Sequence, residues 1–365
     1  MKVTEVRTIT LRRPFSAPQA NSKNIRSVRT HVLVVVETDA GIAGLGDAFG
    51  DPNLMGPIIE RRLKPLVLGA SPFDLEALWK RMFEGNASWE PKGSVVSAWS
   101  GIEVALWDLQ GKALGLPVCQ LLGGRARDRI EAYASDLHWE EPAAMADKAR
   151  RFVDQGFRYV KTHIGREDAD GDERRVAAIR EAIGPRVGLL VDINTAFDRQ
   201  TALARGKMFA RYDAFWYEEP LPPMDLDGYL ELKQRLPIPI AHGENEFTRY
   251  GFRDMFVRGS VDYAMPDILR AGGLLETKKI CAMAEAFGVV VSPHNYSTGV
   301  GLAATLHLMA ATPATALLEF DPTGTAVYEE LFVDGLKVEG GFVHVPDRPG
   351  LGVELRAETL ERYGR

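Results

Sequence analysis

Seven side chains able to move protons or bind a metal each close a short apolar run from residue 163 onward: His163, Asp192, Glu218, Glu244, Asp267, His294 and Glu319. Their successive gaps are 29, 26, 26, 23, 27 and 25 residues. Such an interval holds one strand, one helix and two loops, the repeat of a (β/α)8 barrel, whose functional groups stand at the C-terminal ends of the strands.

Asp192, Glu218 and Glu244 end three consecutive expected strands. Neighbouring strands lie about 4.8 Å apart, close enough for three carboxylates to share one cation. Oxygen-only ligation selects a hard ion such as Mg²⁺, with water and substrate oxygens completing its octahedron. The alternative for any one of them is a helix cap, but three unshared carboxylates side by side would repel one another and raise their own pKa values. Glu219 should point the other way by strand alternation and support the ligands from behind.

Lys161 and His163 are two apart on the second expected strand and so share a side of the barrel; Lys161, held close to the cation that disfavours its charged form, could polarise a substrate carboxylate or itself accept a proton. His294 ends the seventh strand and Asp267 the sixth. A carboxylate on one imidazole nitrogen fixes the tautomer and leaves the other as a base; the alternative is a structural, hydrogen-bonded histidine. A cation, a nearby ammonium and acid–base groups on two faces of one carbon suit removal of a proton α to a carboxylate, because a second negative charge develops there. Glu319, if protonated, could donate a hydrogen bond to that enediolate; otherwise it is an ion-pair partner at the rim.

The elements that position these groups are legible as patterns. Val3 to Leu11, His31 to Glu37 and a short segment after Gly41-Ile42-Ala43-Gly44 read as a small antiparallel sheet. Asp74 to Phe83 and Val95 to Leu114 carry apolar residues at helical spacing. After Leu121-Leu122-Gly123-Gly124-Arg125, strands fit at 130–134, 158–163, 187–192, 214–218, 238–243, 261–266, 288–292 and 316–320, separated by helical segments. Residues 336–345 then read as a hairpin. The expected fold class is α/β: a TIM-type barrel over 126–322, an α+β capping domain over 1–125, and a C-terminal segment, 323–365, returning to that cap.

Composition narrows the partners. A net charge of −6 and a pI near 5.8 argue against binding nucleic acid or an anionic membrane, since either would need a basic face. Two cysteines, Cys119 and Cys281, lie far apart inside apolar patterns and read as core thiols. Met1 leads into a strand pattern rather than a signal peptide, and no apolar run reaches membrane-span length. The expectation is a cytoplasmic enzyme acting on a small molecule.

The motifs Lys161-Thr162-His163, Val191-Asp192-Ile193-Asn194, Tyr217-Glu218-Glu219-Pro220 and Gly243-Glu244-Asn245, with Asp267, His294 and Glu319, resemble those of the enolase superfamily, specifically its mandelate racemase subgroup. The resemblance covers essentially the whole chain. It implies that Asp192, Glu218 and Glu244 bind Mg²⁺, that His294 and Asp267 form an acid–base dyad, that Glu319 supports the enediolate, and that the protein is a homo-oligomer. Where the family has Lys-x-Lys on strand two, this chain has an imidazole, so His163 is either a second base or only orients substrate. The polar loops around Asn21 and Asp51 favour a hydroxylated ligand; Asn194, Asn21, His138 and His242 are further pocket candidates.

These readings converge on a Mg²⁺-dependent dehydratase of an aldonate or aldarate giving a 2-keto-3-deoxy acid. The alternative is an epimerase or sugar-lactone cycloisomerase sharing the same first step. A metal-dependent amidohydrolase would need His-x-His on the first strand, where Tyr133-Ala134-Ser135 stands. A non-catalytic barrel would have no reason to retain the acid–base set.

Overall fold

The computed structural model describes residues 1–323, 331–358 and 361, so part of the C-terminal segment expected over 323–365 lies outside the described residues. The chain opens with β1 (Val3–Ala20), β2 (Ile25–Thr38) and β3 (Ala43–Ala48), an antiparallel sheet in the order β1-β2-β3. The first two strands run much further than their apolar stretches, because their outer halves form a hairpin arm whose tip, Asn21 to Asn24, reaches the barrel loops. There Ser22 Oγ donates to Ile193 O, Lys23 Nζ donates to Thr195 Oγ1, and Arg166 Nη1 donates to Asn21 O.

The helix Ser94–Leu114 is buried around most of its circumference, which explains its nearly continuous apolar composition. It lies directly on β3. A Cβ added at Gly46 would fall 1.9 Å from Gly101 O, and one at Gly44 2.0 Å from Ala105 O, so only glycine permits this backbone-to-backbone approach. Asp108 on the same helix accepts from Leu45 N of β3 and from Leu351 N of the C-terminal tail, both at 2.8 Å.

Among the described residues eight parallel strands follow: β4 (Arg129–Leu137), β5 (Tyr159–His163), β6 (Gly188–Asp192), β7 (Ala214–Glu218), β8 (Ile240–His242), β9 (Tyr263–Ala264), β10 (Val290–Val291) and β11 (Leu318–Phe320). Each pairs with its predecessor as far as β10; β11 pairs with β4, and a bridge from Val291 to Thr315 completes the closed barrel. The interior is filled by Tyr133, Leu190, Trp216, Ala241, Met265 and Leu317, inward residues of successive strands that make a packed floor beneath the mouth. A final hairpin, β12 (Val338–Glu339) and β13 (Phe342–His344), adds antiparallel to the N-terminal end of β4. Just after it, Gly350 and Leu351 meet Gly111 and Asp108 of the helix Ser94–Leu114.

Candidate active site

Parallel register brings the site together. His163 pairs with Asp192 and Asp192 with Glu218, so β5, β6 and β7 end level. Glu244 lies two residues beyond β8 and is turned back over the mouth by Gly243, whose φ of 128° and 3.2 Å separation between an added Cβ and Met265 N require glycine. One carboxylate oxygen each from Asp192, Glu218 and Glu244 falls within 4.8 Å of the others.

Lys161 is 1% exposed, with Nζ 2.6 Å from Glu218, 2.7 Å from Glu319 and 3.5 Å from Asp192. Burial opposes its charge, yet Glu218 and Glu319 outweigh that cost and hold its pKa well above the ordinary lysine value. One ammonium does not neutralise the whole group of acids. Burial, aided by Asp192, Glu319 and Glu244, overcomes Lys161 and raises the Glu218 carboxyl well above its usual range. A divalent cation would relieve this crowding, and three convergent hard oxygens are the donor set it prefers. The residues present therefore fit Mg²⁺.

Asp192 is the best-supported of the three. Its oxygens accept from Asn194 N at 2.8 Å and Asn194 Nδ2 at 3.1 Å, and Oδ2 lies 3.1 Å from His163 Nδ1. Asn194 therefore orients a candidate ligand, from a left-handed backbone with φ of 48°. Glu219, with Oε2 accepting from Asn245 Nδ2 at 2.6 Å, braces the residue beside Glu244.

On the other side, His294 Nδ1 stands 2.6 Å from Asp267 Oδ2, while Nε2 lies 3.4 Å from Glu244 and 3.8 Å from Glu319. Burial lowers the pKa of this imidazole, but Glu244, Glu319 and Asp267 together push it up to about 10. Asp267 also caps the short helix Ile268–Ala271 through Leu269 N, so one side chain both positions the imidazole and closes a helix end.

Glu319 differs from the protonated donor considered above. It accepts from Ser135 Oγ at 2.7 Å and Asn295 N at 2.9 Å and pairs with Lys161. Burial favours the protonated form, but Lys161 and His294 outweigh it and bring the carboxyl down to about 2. It is the ion-pair partner.

A cavity of about 640 Å³ spans this mouth, lined by Lys161, His163, Asp192, Asn194, Glu244, His294 and Glu319 and covered by residues of the β1–β2 arm. Asn21 and His138 line it, but Asn21 spends its side-chain oxygen on the turn, accepting from Lys23 N and Asn24 N. His242 is a correction. Strand alternation sends Ala241 into the barrel interior and His242 outward, where its ring stacks on Tyr229 at 3.9 Å and Nε2 lies 3.3 Å from Ser260 O. Sequence reasoning missed Asp47, whose carboxylate accepts from Thr298 N and Oγ1 and ties β3 to the loop after His294. It also missed Asp136, two residues before His138 at the end of β4, although that spacing placed both on one side.

Comparison with known families decides the assignment. Residues 3–123 match the model described as mandelate racemase / muconate lactonizing enzyme, N-terminal domain, and residues 144–359 match the enolase C-terminal domain-like model. The chain belongs to the enolase superfamily, in its mandelate racemase subgroup. Within the superfamily it is 33% identical to D-galactarolactone cycloisomerase of Agrobacterium fabrum, over 100% of this chain and 99% of that protein. It is also 33% identical to D-xylonate dehydratase of Haloferax volcanii, over 91% and 85%. A racemase from Streptomyces coelicolor solved with bound magnesium superposes with a TM-score of 0.92 at 29% identity, covering 100% of both chains.

Proposed function

We propose that this enolase-superfamily enzyme is a Mg²⁺-dependent dehydratase of an aldonate or aldarate. The observation carrying this reading is the His294–Asp267 pair, at 2.6 Å, set beside a three-carboxylate cluster two of whose members, Glu218 and Asp192, lie 2.6 and 3.5 Å from Lys161 Nζ. Asp192, Glu218 and Glu244 would hold the ion, which supplies charge neutralisation to the substrate carboxylate.

The chain's own groups divide the remaining work. Lys161, buried between Glu218 and Glu319 at the mouth, binds a carboxylate oxygen of the small-molecule substrate. His163 faces Asp192 through Nδ1, and a carboxylate can only accept there, so Nδ1 carries the proton and Nε2 keeps a lone pair. Nε2 has no hydrogen-bond partner among the described residues; we assign it the C2 proton. We assign His294 the proton delivered to the departing C3 hydroxyl, with Asp267 at 2.6 Å stabilising the imidazolium. The enol released ketonises to a 2-keto-3-deoxy acid.

A second reading, a sugar-lactone cycloisomerase or epimerase, shares the C2 step and draws support from full-length similarity to a galactarolactone cycloisomerase. Incubating a panel of aldonates, aldarates and their lactones with enzyme and Mg²⁺ in D₂O separates the two. A new keto acid marks dehydration, and C2 exchange or ring opening without loss of water marks isomerisation.

We take 1–125 with the tail as the capping unit and 126–322 as the catalytic unit, because the β1–β2 arm covers the cavity and the tail packs on the cap helix. We also place the enzyme in the cytoplasm as a homo-oligomer. Its two thiols, Cys119 and Cys281, are free and buried, as suits a reducing compartment, and Trp89, Met224 and Val257 offer exposed apolar surface to a second copy.

A further inference from the structure

A second carboxylate–imidazole pair stands at the mouth, unused by the mechanism above. Asp136 is fully buried, with Oδ2 2.6 Å from Lys148 Nζ of the helix Pro142–Asp154 and Oδ1 3.1 Å from His138 Nε2. The Asp136–His138 contact is close in distance but outside hydrogen-bond alignment as the ring stands. His138 stacks on His163 with ring centroids 5.0 Å apart and planes 13° from parallel, and both line the cavity.

The chemistry of the pair fixes which atom is available. Burial lowers the pKa of His138 and Asp136 only partly offsets it, so the ring is neutral. An ionised carboxylate 3.1 Å from Nε2 can only accept, which favours the tautomer with its proton on Nε2 once the ring turns into line with Asp136; Nδ1 then carries the lone pair. Nδ1 is buried and has no hydrogen-bond partner among the described residues. A buried acceptor of this kind calls for a donor.

We infer that the Asp136–His138 pair reads a hydroxyl of the substrate chain, with Nδ1 of His138 accepting its O–H, which makes His138 a specificity-determining contact. A carboxylate is excluded from this position, since it offers only acceptors to a lone pair backed by another carboxylate. The pair therefore separates polyhydroxy acids from short 2-hydroxy acids that satisfy only the metal end. Sites built around a hydrogen bond to a hydroxyl discriminate strongly against analogues lacking it, because the protein group is then stranded. This inference rests on the acid-sugar reading for its ligand class, and its test uses binding rather than turnover so that the two can fail separately.

The experiment is calorimetric binding to full-length His294→Asn protein with Mg²⁺, a background chosen to block turnover, using D-galactonate, D-xylonate, D-galactarate and 2-hydroxybutyrate. At least one polyhydroxy acid should bind ten or more times tighter than 2-hydroxybutyrate, on the order expected for one lost buried hydrogen bond. Adding His138→Phe should erase that difference and leave 2-hydroxybutyrate affinity unchanged. Adding His138→Gln, which retains an acceptor, should keep part of it and serves if the Phe variant does not fold. The inference is overturned if no polyhydroxy acid is preferred, if the preference survives in both variants, or if all four ligands weaken equally. Discrimination in binding without turnover of any acid in the wild type would sink the dehydratase reading and leave this one standing.

Discussion

Asp267 holds His294 and caps a helix with the same carboxylate: Oδ2 lies 2.6 Å from His294 Nδ1, and Oδ1 accepts from Leu269 N at 2.8 Å. The helix cap fixes the carboxylate, and the carboxylate fixes the imidazole. The candidate acid is thus oriented by backbone geometry.

Asp267→Asn separates these two tasks. The amide oxygen can keep the cap, while the amide N–H₂ presents a donor to Nδ1 and disfavours the protonated ring. We expect kcat to fall by about 10²–10⁴, the range for loss of a general acid or base, with the thermal midpoint nearly unchanged. A large loss of stability with modest loss of rate would show that the cap is the dominant role.

Lys161→Met removes the only ammonium within 4 Å of Glu218 and Glu319 among the described residues. Breaking a buried pair by deleting one partner costs about 3–5 kcal/mol, so the metal-free variant should unfold at markedly lower denaturant. Mg²⁺ should restore more stability to it than to the wild type, because the ion takes over neutralisation. Equal Mg²⁺ stabilisation in both proteins, measured against EDTA controls, would mean that ion and lysine do not share those carboxylates.

His242 gives a pH-dependent prediction away from the site. Burial lowers its pKa from 6.5 to about 3. Between those values the unfolded chain binds a proton that the folded chain does not, so stability present above pH 6.5 is lost as pH falls toward 3. The slope is about 1.4 kcal/mol per pH unit for one proton. His242→Phe, which keeps a ring against Tyr229, should flatten the acid limb of the stability profile by that amount. An unchanged slope would show that the ring is not held neutral.

Gly46→Ala tests the contact between cap sheet and helix. With the new Cβ 1.9 Å from Gly101 O, the strand must lift off the helix. Overpacking of this kind costs about 1–3 kcal/mol or more, and activity should fall with stability because β3 carries Asp47 to the loop behind His294. A thermal midpoint equal to that of the wild type would contradict the close packing.

Much of this was legible because strand-end chemistry repeats with the barrel. Asp192, Glu218 and Glu244 could be grouped from spacing alone, and parallel register with the Gly243 turn is what makes them converge. His242 was misplaced because one step of strand alternation separates a mouth residue from a wall residue, and the exact end of a three-residue strand is not visible in sequence. The state of Glu319 was not legible either, since it depends on Ser135, Asn295 and Lys161, which three other strands or loops bring to it. Asp136 escaped notice although its spacing from His138 was readable, because its partner Lys148 lies on the following helix and only the fold brings the two together.

The most direct measurement is proton NMR of an acid sugar incubated in D₂O with enzyme and Mg²⁺, following the hydrogen at C2. The C2 proton should be lost to solvent as a keto acid or isomer forms. That loss should need Mg²⁺ and His163, and His294→Asn should block product formation. Retention of the C2 hydrogen in a product, or turnover undiminished by EDTA and by His163→Asn, would contradict proton abstraction at this site.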